Sequence, residues 1–234
     1  MSDRNKKPKR RVSPSVPVFF PDWLLLRELT RDVTWALERF ARGTLLDVGC
    51  GERPYSRCRS QVTQWIGLDA DTNSSADITG SADAVPLPDG SVDTILCTQV
   101  LEHVPDAEGA FAELYRVLRP GGMLILTVPQ YWPLHEEPYD FRRYTEIGLR
   151  RVATETGFTV VAMRAQGRGV VVSGQAFNNA ILCTGEHLPF SGQMWFKATK
   201  APAYLAVNLI TVALSAMLRT PRDVLNHLIV ARKP

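Results

Sequence analysis

Between Pro129 and Tyr144 the chain reads PQYWPLHEEPYDFRRY, a stretch dense in side chains able to handle protons and anions. His135 suits removal of a proton from a hydroxyl acceptor, because a neutral imidazole is available near physiological pH. Asp140 can orient that ring, and Arg142 or Arg143 can hold an anionic group through charge-assisted hydrogen bonds. Trp132 and Tyr144 are further acceptor-side candidates. The competing reading of His135 and Asp140 is architectural, the pair pinning the loop through backbone contacts.

A second set of residues is suited to holding a ligand. Thr44 to Gly51 read TLLDVGCG, an apolar run ending in an acid and two glycines. Such a run is the signature of a buried parallel strand. Gly49 and Gly51 supply the sharp turn at its end, and without a Cβ they let backbone amides come close to a ligand. Eighteen residues after Gly51 a second run, Trp65-Ile66-Gly67-Leu68, ends in Asp69. An acid there, roughly 20 residues beyond a glycine loop, can reach both hydroxyls of a ribose. A nicotinamide-type fingerprint would carry a third glycine where this chain has Pro54, so a hydride-transfer enzyme is disfavoured. Asp47 ahead of the first glycine suits an amino-acid-bearing nucleoside better than a pyrophosphate.

These motifs, in this order, resemble a class I S-adenosylmethionine-dependent methyltransferase, of the group related to methyltransferase type 11 domains. The resemblance runs from Leu45 to about Arg164. It implies that Asp47-Val48-Gly49-Cys50-Gly51 cradles the methionine part of S-adenosyl-L-methionine. It also implies that Asp69 holds the ribose and that Asp83-Ala84 meets the adenine. Asp93-Thr94-Ile95-Leu96-Cys97 is similar to the fourth strand, Gln99-Val100-Leu101-Glu102-His103 to the turn after it, and Arg116 to Gly122 to the approach to the fifth strand. Gln99 joins the cofactor set, and Tyr55 and Trp132 are placed near the cationic sulfur. The chain departs from many members at Arg53, where they carry a further glycine. Taken singly, Asp69 also reads as a strand-end turn acid, Asp83 as a solvated turn residue and His103 as a helix-start cap.

The implied fold class is α/β: a Rossmann-like, seven-stranded, mostly parallel sheet with helices on both faces and a helical insertion before the last strand. Strands are expected near 44–48, 65–68, 76–79, 93–97, 123–128, 158–163 and 228–231. Asp22 to Arg42 reads as a helix with Leu26, Thr30, Val33, Leu37 and Phe40 along its apolar stripe. Further helices are expected at 106–117, stopped by Pro120-Gly121-Gly122, and at 146–156. The link between the first two strands leaves room for only a shortened helix. Four segments follow: a basic disordered tail at 1–20, a cofactor-binding core at 21–164, an apolar helical cap at 165–225 and a final core strand at 226–234.

The cap is where this chain departs from the ordinary length of that connection. Val170-Val171-Val172, Phe177, Ile181-Leu182 and Ala201 to Leu218 make it apolar, and it should stand over the carboxyl edge of the sheet, where ligands bind. Ala201 to Leu218 is short for a span, contains Pro202, and puts Asn208, Thr211 and Ser215 on one helical face. That narrow polar side is expected to face water or the site, and the wide apolar side core, a partner or lipid. A homodimer contact and a peripheral contact with the inner face of a membrane both stay open.

Composition sets outer limits. The 234 residues, 45% hydrophobic, suffice for one α/β domain with an addition. Much of the modest net charge of +3 lies in Arg4 to Arg11, a cluster that reads as solvated tail or as a contact for anionic lipid or nucleic acid. Cys50, Cys58, Cys97 and Cys183 show no metal-ligand spacing, so no metal site is expected and a reducing cytoplasm is the simplest setting. No apolar signal core follows the basic residues. The turn after the fourth strand lacks the proline-aromatic segment common in base-amine methyltransferases, which disfavours nucleic-acid acceptors. The expected function is in-line methyl transfer to oxygen of a small-molecule or lipid- or saccharide-linked acceptor. The rival is a catalytically silent binding module that keeps the cofactor fold.

Overall fold

The apolar run Leu45 to Val48 forms the centre of β1 (Gly43–Val48) in a computed structural model that describes residues 16–58, 61–187, 190–218 and 222–234. The basic cluster Arg4 to Arg11 lies outside the described residues. The other strands are β2 (Val62–Asp69), β3 (Ile78–Thr79), β4 (Val92–Thr98), β5 (Leu118–Pro129), β6 (Thr159–Arg168) and β7 (Val224–Arg232). They form one sheet in the order β3-β2-β1-β4-β5-β7-β6, parallel throughout except that β7 runs antiparallel to both neighbours. The chain order reverses between β1 and β4. Ligands of open α/β sheets bind at the carboxyl ends of the strands at such a point.

The helices are α1 (Trp23–Phe40), α2 (Ala107–Val117), α3 (Glu146–Glu155), α4 (Val170–His187) and α5 (Phe190–Met217), with a single 3-10 turn at Leu101–His103. Asp106 caps α2 by accepting from the Gly109 amide, and Thr145 caps α3 by accepting from Gly148. Leu46, Ile95, Leu124 and Phe111 belong to the main core cluster, and Leu45, Leu96, Ile125 and the helix face of α1 to a second one. Among the described residues no helix joins β1 to β2; Gly51 to Cys58 cross in a series of turns.

Several boundaries differ from the sequence reading. The buried face of α1 is Leu25, Leu29, Val33, Ala36 and Leu37, so only Val33 and Leu37 of the expected stripe lie on it. Asp32 explains the rotation: it is fully buried, paired with Arg164 on β6 at 2.9 Å. The pair β6–β7 runs from Thr159↔Arg232 to Arg168↔Val224, longer than the apolar signal. Its extension is polar yet buried, with Asn226 donating to Gln166 at 3.1 Å. α2 ends at Val117, and Leu118 already pairs with Val92, so Pro120-Gly121-Gly122 lies inside β5 instead of stopping the helix.

Residues 165–225 hold the end of β6, α4, α5 and the start of β7. Val171 of α4 packs with Leu24 and Leu25 of α1, Leu225 of β7 and Trp132 of the loop after β5, which sets this pair of helices at the carboxyl end of β5. The polar side of α5 is buried inside the protein instead of facing water. Asn208 is fully buried; its amide donates to the carbonyls of Val18 (2.6 Å) and Phe20 (3.1 Å) and its carbonyl accepts from Asn178 (2.8 Å). Leu209, Ile210, Leu214 and Met217 are exposed. Carboxamides are the better interior side chains here because the segment before α1 presents carbonyls that take further donors.

Candidate functional site

The end of β1 turns through Gly49 (φ +65°) and Gly51 (φ +48°). A Cβ on Gly49 would stand 2.3 Å from Cγ2 of Val100, so the loops after β1 and β4 touch only because this residue has no side chain. A Cβ on Gly51 would meet nothing within 4 Å, which leaves its backbone facing open space. Asp69, at the end of β2, accepts from the Gly51 amide at 2.9 Å through Oδ2 and from the Asp71 amide at 2.9 Å through Oδ1. Each carboxylate oxygen retains a further lone pair for a hydroxyl donor. A bare glycine turn beside an oriented half-buried acid fits a nucleoside with a flexible amino-acid arm.

The other expected cofactor residues divide into rim and support. Asp47 is 3% exposed and accepts from the indole of Trp65 at 3.1 Å; burial pushes its carboxyl up to about 7. Cys50 is buried, its thiol pushed up to about 11 by burial, and its amide donates to Leu68. These two brace the turn from below. Tyr55 is 2% exposed among Leu29, Val33 and Trp65, so the expectation that it faces the sulfur gives way to a core role. Asp83 is half-buried and receives a short hydrogen bond from Ser81, whose backbone bridges to Ala84. Gln99 takes φ +55°, and its amide and side chain both donate to Thr127 on β5, to the carbonyl at 3.0 Å and to the hydroxyl at 3.2 Å.

Arg53 was visible in sequence only as a missing glycine. It adopts φ +51°, the region a glycine would enter without strain, and pairs with Asp77 at 2.8 Å. Its guanidinium lies across Gly67, where a Cβ would come within 2.9 Å of it. The ion pair thus floors the loop, and a side chain at Gly67 would displace it.

On the acceptor side, Asp140 is the hub. Its side chain, 1% exposed, accepts from the backbone amide of His135 at 3.1 Å and faces His135 Nδ1 at 3.0 Å. The Arg143 guanidinium beside it holds the carboxyl well below the usual carboxylate range. Arg143 also donates to the carbonyls of Trp132, Pro133 and Arg142, so all five of its N–H groups are used. It is a strut of the loop, which corrects the expectation that it receives an anionic acceptor. Arg142 donates to the carbonyl of Pro105 and lies 3.8 Å from Glu108. Tyr144 is 8% exposed within the main core, its hydroxyl pushed up to about 12 by burial, so it supports the loop from below. The ring of Trp132 packs against the α4 cluster.

His135 is half-buried, and burial together with the neighbouring His103 lowers its pKa. The ring is therefore neutral near physiological pH. With Asp140 accepting from Nδ1, its lone pair lies on Nε2. Asp140 both orients His135 and pins the loop.

The sequence model of the methyltransferase domain family matches residues 46–126. A protein of Mycolicibacterium smegmatis described as a probable S-adenosylmethionine-dependent methyltransferase is 35% identical over 139 residues, 52% of this chain and 54% of that protein. The chain spans about half the length of the curated relatives it matches. Among solved structures, the cyclase SpnF is similar with a TM-score of 0.55 at 21% identity, covering 88% of this chain and 82% of that one. Phosphoethanolamine N-methyltransferase 2 of Haemonchus contortus, in complex with S-adenosyl-L-methionine, is similar with a TM-score of 0.54 at 16% identity, over 93% of this chain and 56% of that one. At these identities the two structures speak for the fold alone. Residues 46–126 match the methyltransferase domain family, and the strand order and the glycine turn with its acid make the chain similar to class I S-adenosylmethionine-dependent methyltransferases.

Proposed function

We propose that the chain transfers a methyl group to an oxygen of a small-molecule or lipid- or saccharide-linked acceptor. The observation that carries the cofactor half of this reading is the double use of Asp69. It is fixed by the Gly51 and Asp71 amides and still has lone pairs to offer. Gly49 and Gly51 would hold the methionine part, Asp69 the ribose, and Asp83 with Ala84 the adenine. When bound, S-adenosyl-L-methionine supplies a methyl group already activated by its sulfonium. The protein's share is alignment and exclusion of water, which together can remove roughly 7 kcal/mol of barrier.

His135 is the residue assigned to the acceptor's proton. Its Nε2 lone pair is available, its orientation is fixed by Asp140, and its lowered pKa keeps it in the accepting form. Arg142, half-buried beside Pro105, is the cation left near the acceptor space once Arg143 is committed to the loop.

The cap favours an apolar acceptor held at a membrane surface. Thr199–Met217 is long and apolar enough to cross a membrane by length and composition, and only 17% of it is buried. Its outward residues Leu209, Ile210, Leu214 and Met217 form one exposed apolar side, with Phe19 and Phe20 exposed on the segment to which Asn208 is bonded. A helix with one apolar side is suited to lie in the interface plane.

Transfer of radiolabelled methyl from S-adenosylmethionine into a cell extract, followed by phase separation, tests the reading. Donor-dependent label in the organic phase is the expected result. Label confined to the aqueous phase would redirect the acceptor to a saccharide or polar metabolite. Donor binding without label in either phase would favour the binding-module alternative, since fold alone does not establish activity.

A further inference from the structure

Glu102, in the turn after β4, is fully buried, and neither of its carboxyl oxygens has a hydrogen-bond partner outside its own residue. A buried carboxyl without partners is costly unless something compensates it. Arg143, the nearby cation, is already saturated by Asp140 and three carbonyls. Both Glu102 oxygens are therefore open to a further partner.

The neighbours of Glu102 supply the pattern. Glu102, His103 and His135 each offer a ligand atom, and these atoms all lie within 4.8 Å of one another. Both imidazoles are turned so that Nδ1 is engaged and Nε2 is left over. His135 Nδ1 faces Asp140 at 3.0 Å, and His103 Nδ1 faces the carbonyl of Tyr139 at 2.7 Å. A carbonyl only accepts, so His103 carries its hydrogen on Nδ1 and its lone pair on Nε2. Histidines that bind metals are oriented in this way, by a carboxylate or carbonyl on the second ring nitrogen. The rings meet edge to face with centroids 4.7 Å apart. The two loops that carry the set are tied together, since the Phe141 amide donates to the Glu102 carbonyl at 2.8 Å.

We propose that Glu102, His103 and His135 form a binding site for a divalent first-row transition-metal ion. Two imidazoles and one carboxylate are a ligand set suited to ions of the zinc, iron or manganese class, and three protein ligands leave coordination positions open. Bonds of about 2.0–2.2 Å require the side chains to close slightly on the ion. Binding of the ion stands independently of methyl transfer. Only its task rests on that reading: an open position would take the acceptor's hydroxyl oxygen and lower its pKa, so that with His135 as a ligand the proton would leave to solvent before methyl transfer.

The test is a Co2+ titration of the full chain after treatment with EDTA, followed by visible absorption and by calorimetry. Wild type, Glu102→Gln, His103→Ala and His135→Ala are compared, with S-adenosylhomocysteine affinity measured on each. Wild type is expected to bind one equivalent with d–d absorption bands, and each variant to weaken binding by about tenfold or more. S-adenosylhomocysteine affinity should be unchanged, which shows that the variants are folded. Absence of the bands in wild type, or bands that survive in both histidine variants, overturns the site. The histidines are partly exposed, so their variants carry the test if Glu102→Gln does not fold. Co2+ binding by a wild type that does not bind S-adenosylhomocysteine would remove the methyl-donor reading and leave the metal site standing.

Discussion

The Gly51 amide donates to Asp69 at 2.9 Å, so the glycine turn after β1 and the acid at the end of β2 form one unit. Asp69→Ala removes both the ribose acceptor and this tie. S-adenosylhomocysteine affinity should fall by about 10²-fold, in keeping with the loss of charge-assisted hydrogen bonds worth roughly 1.5–3 kcal/mol each. Calorimetric titration checks it; unchanged affinity would show that the cofactor assignment is wrong.

Alanine at the two glycines of the turn should separate stability from binding. Gly49→Ala drives a Cβ to 2.3 Å from Val100 at φ +65°, so it should destabilise the fold and abolish donor binding together. Gly51→Ala meets no protein atom and should cost only about 1–2 kcal/mol of backbone strain. Its Cβ would nevertheless stand in the open space assigned to the ligand. Thermal denaturation and donor titration of the pair should therefore give one unfolded-leaning variant and one folded variant with weak binding.

Arg143 and Arg142 are neighbours in sequence and unlike in role. Arg143→Ala strands the buried Asp140 carboxylate and should cost roughly 3 kcal/mol, the loss expected when one partner of a buried pair is removed. Arg142→Ala breaks one carbonyl contact and a 3.8 Å pair with exposed Glu108, and should change stability by no more than about 1 kcal/mol. Urea denaturation of both variants gives the comparison, and equal losses would refute the strut role of Arg143.

Asp47 gives the fold a pH dependence of unusual sign for an acid. Burial raises its carboxyl to about 7, opposed by the Trp65 indole and Arg53 and aided by Asp69. A raised folded value means that the native state holds the proton more tightly, so this contribution is full below the unfolded value near 4. It is lost as pH rises towards 7, by up to about 1.4 kcal/mol per pH unit. Asp47→Asn should gain on wild type across that interval. A stability difference that stays flat from pH 4 to pH 7 would mean that Asp47 titrates normally.

The sequence announced the parallel core because strands buried on both faces are apolar runs: Leu45 to Val48 and Met123 to Val128 need no partner to be recognised. It also announced the glycine turn and Asp69, whose roles depend on local backbone. What it hid was pairing between distant polar groups. Arg164 buries Asp32 and so rotates α1; Gln166 and Asn226 lengthen β6 and β7 past their apolar stretch. Arg143 was legible as a charge, but its five acceptors come largely from a loop path that no spacing rule records. Glu102 was legible only as part of the turn after the fourth strand, and the fold places it buried beside two histidines.

The buried carboxamide side and the exposed apolar side of α5 are separable by mutation. Asn208→Leu would remove the side-chain donor to the Val18 and Phe20 carbonyls and one acceptor of the Asn178 amide, and should destabilise the protein by roughly 2–5 kcal/mol. The opposite side has no such duty. Replacing Leu209, Ile210, Leu214 and Met217 together by serine removes exposed apolar surface, so stability should change little. Sedimentation with vesicles of anionic phospholipid then reads the proposed function of that surface. Wild type should co-sediment and the quadruple serine variant should not, because insertion of an amphipathic helix scales with the apolar area it buries. If both remain in the supernatant, the exposed face is not a lipid contact; if both co-sediment, attachment arises from another part of the chain.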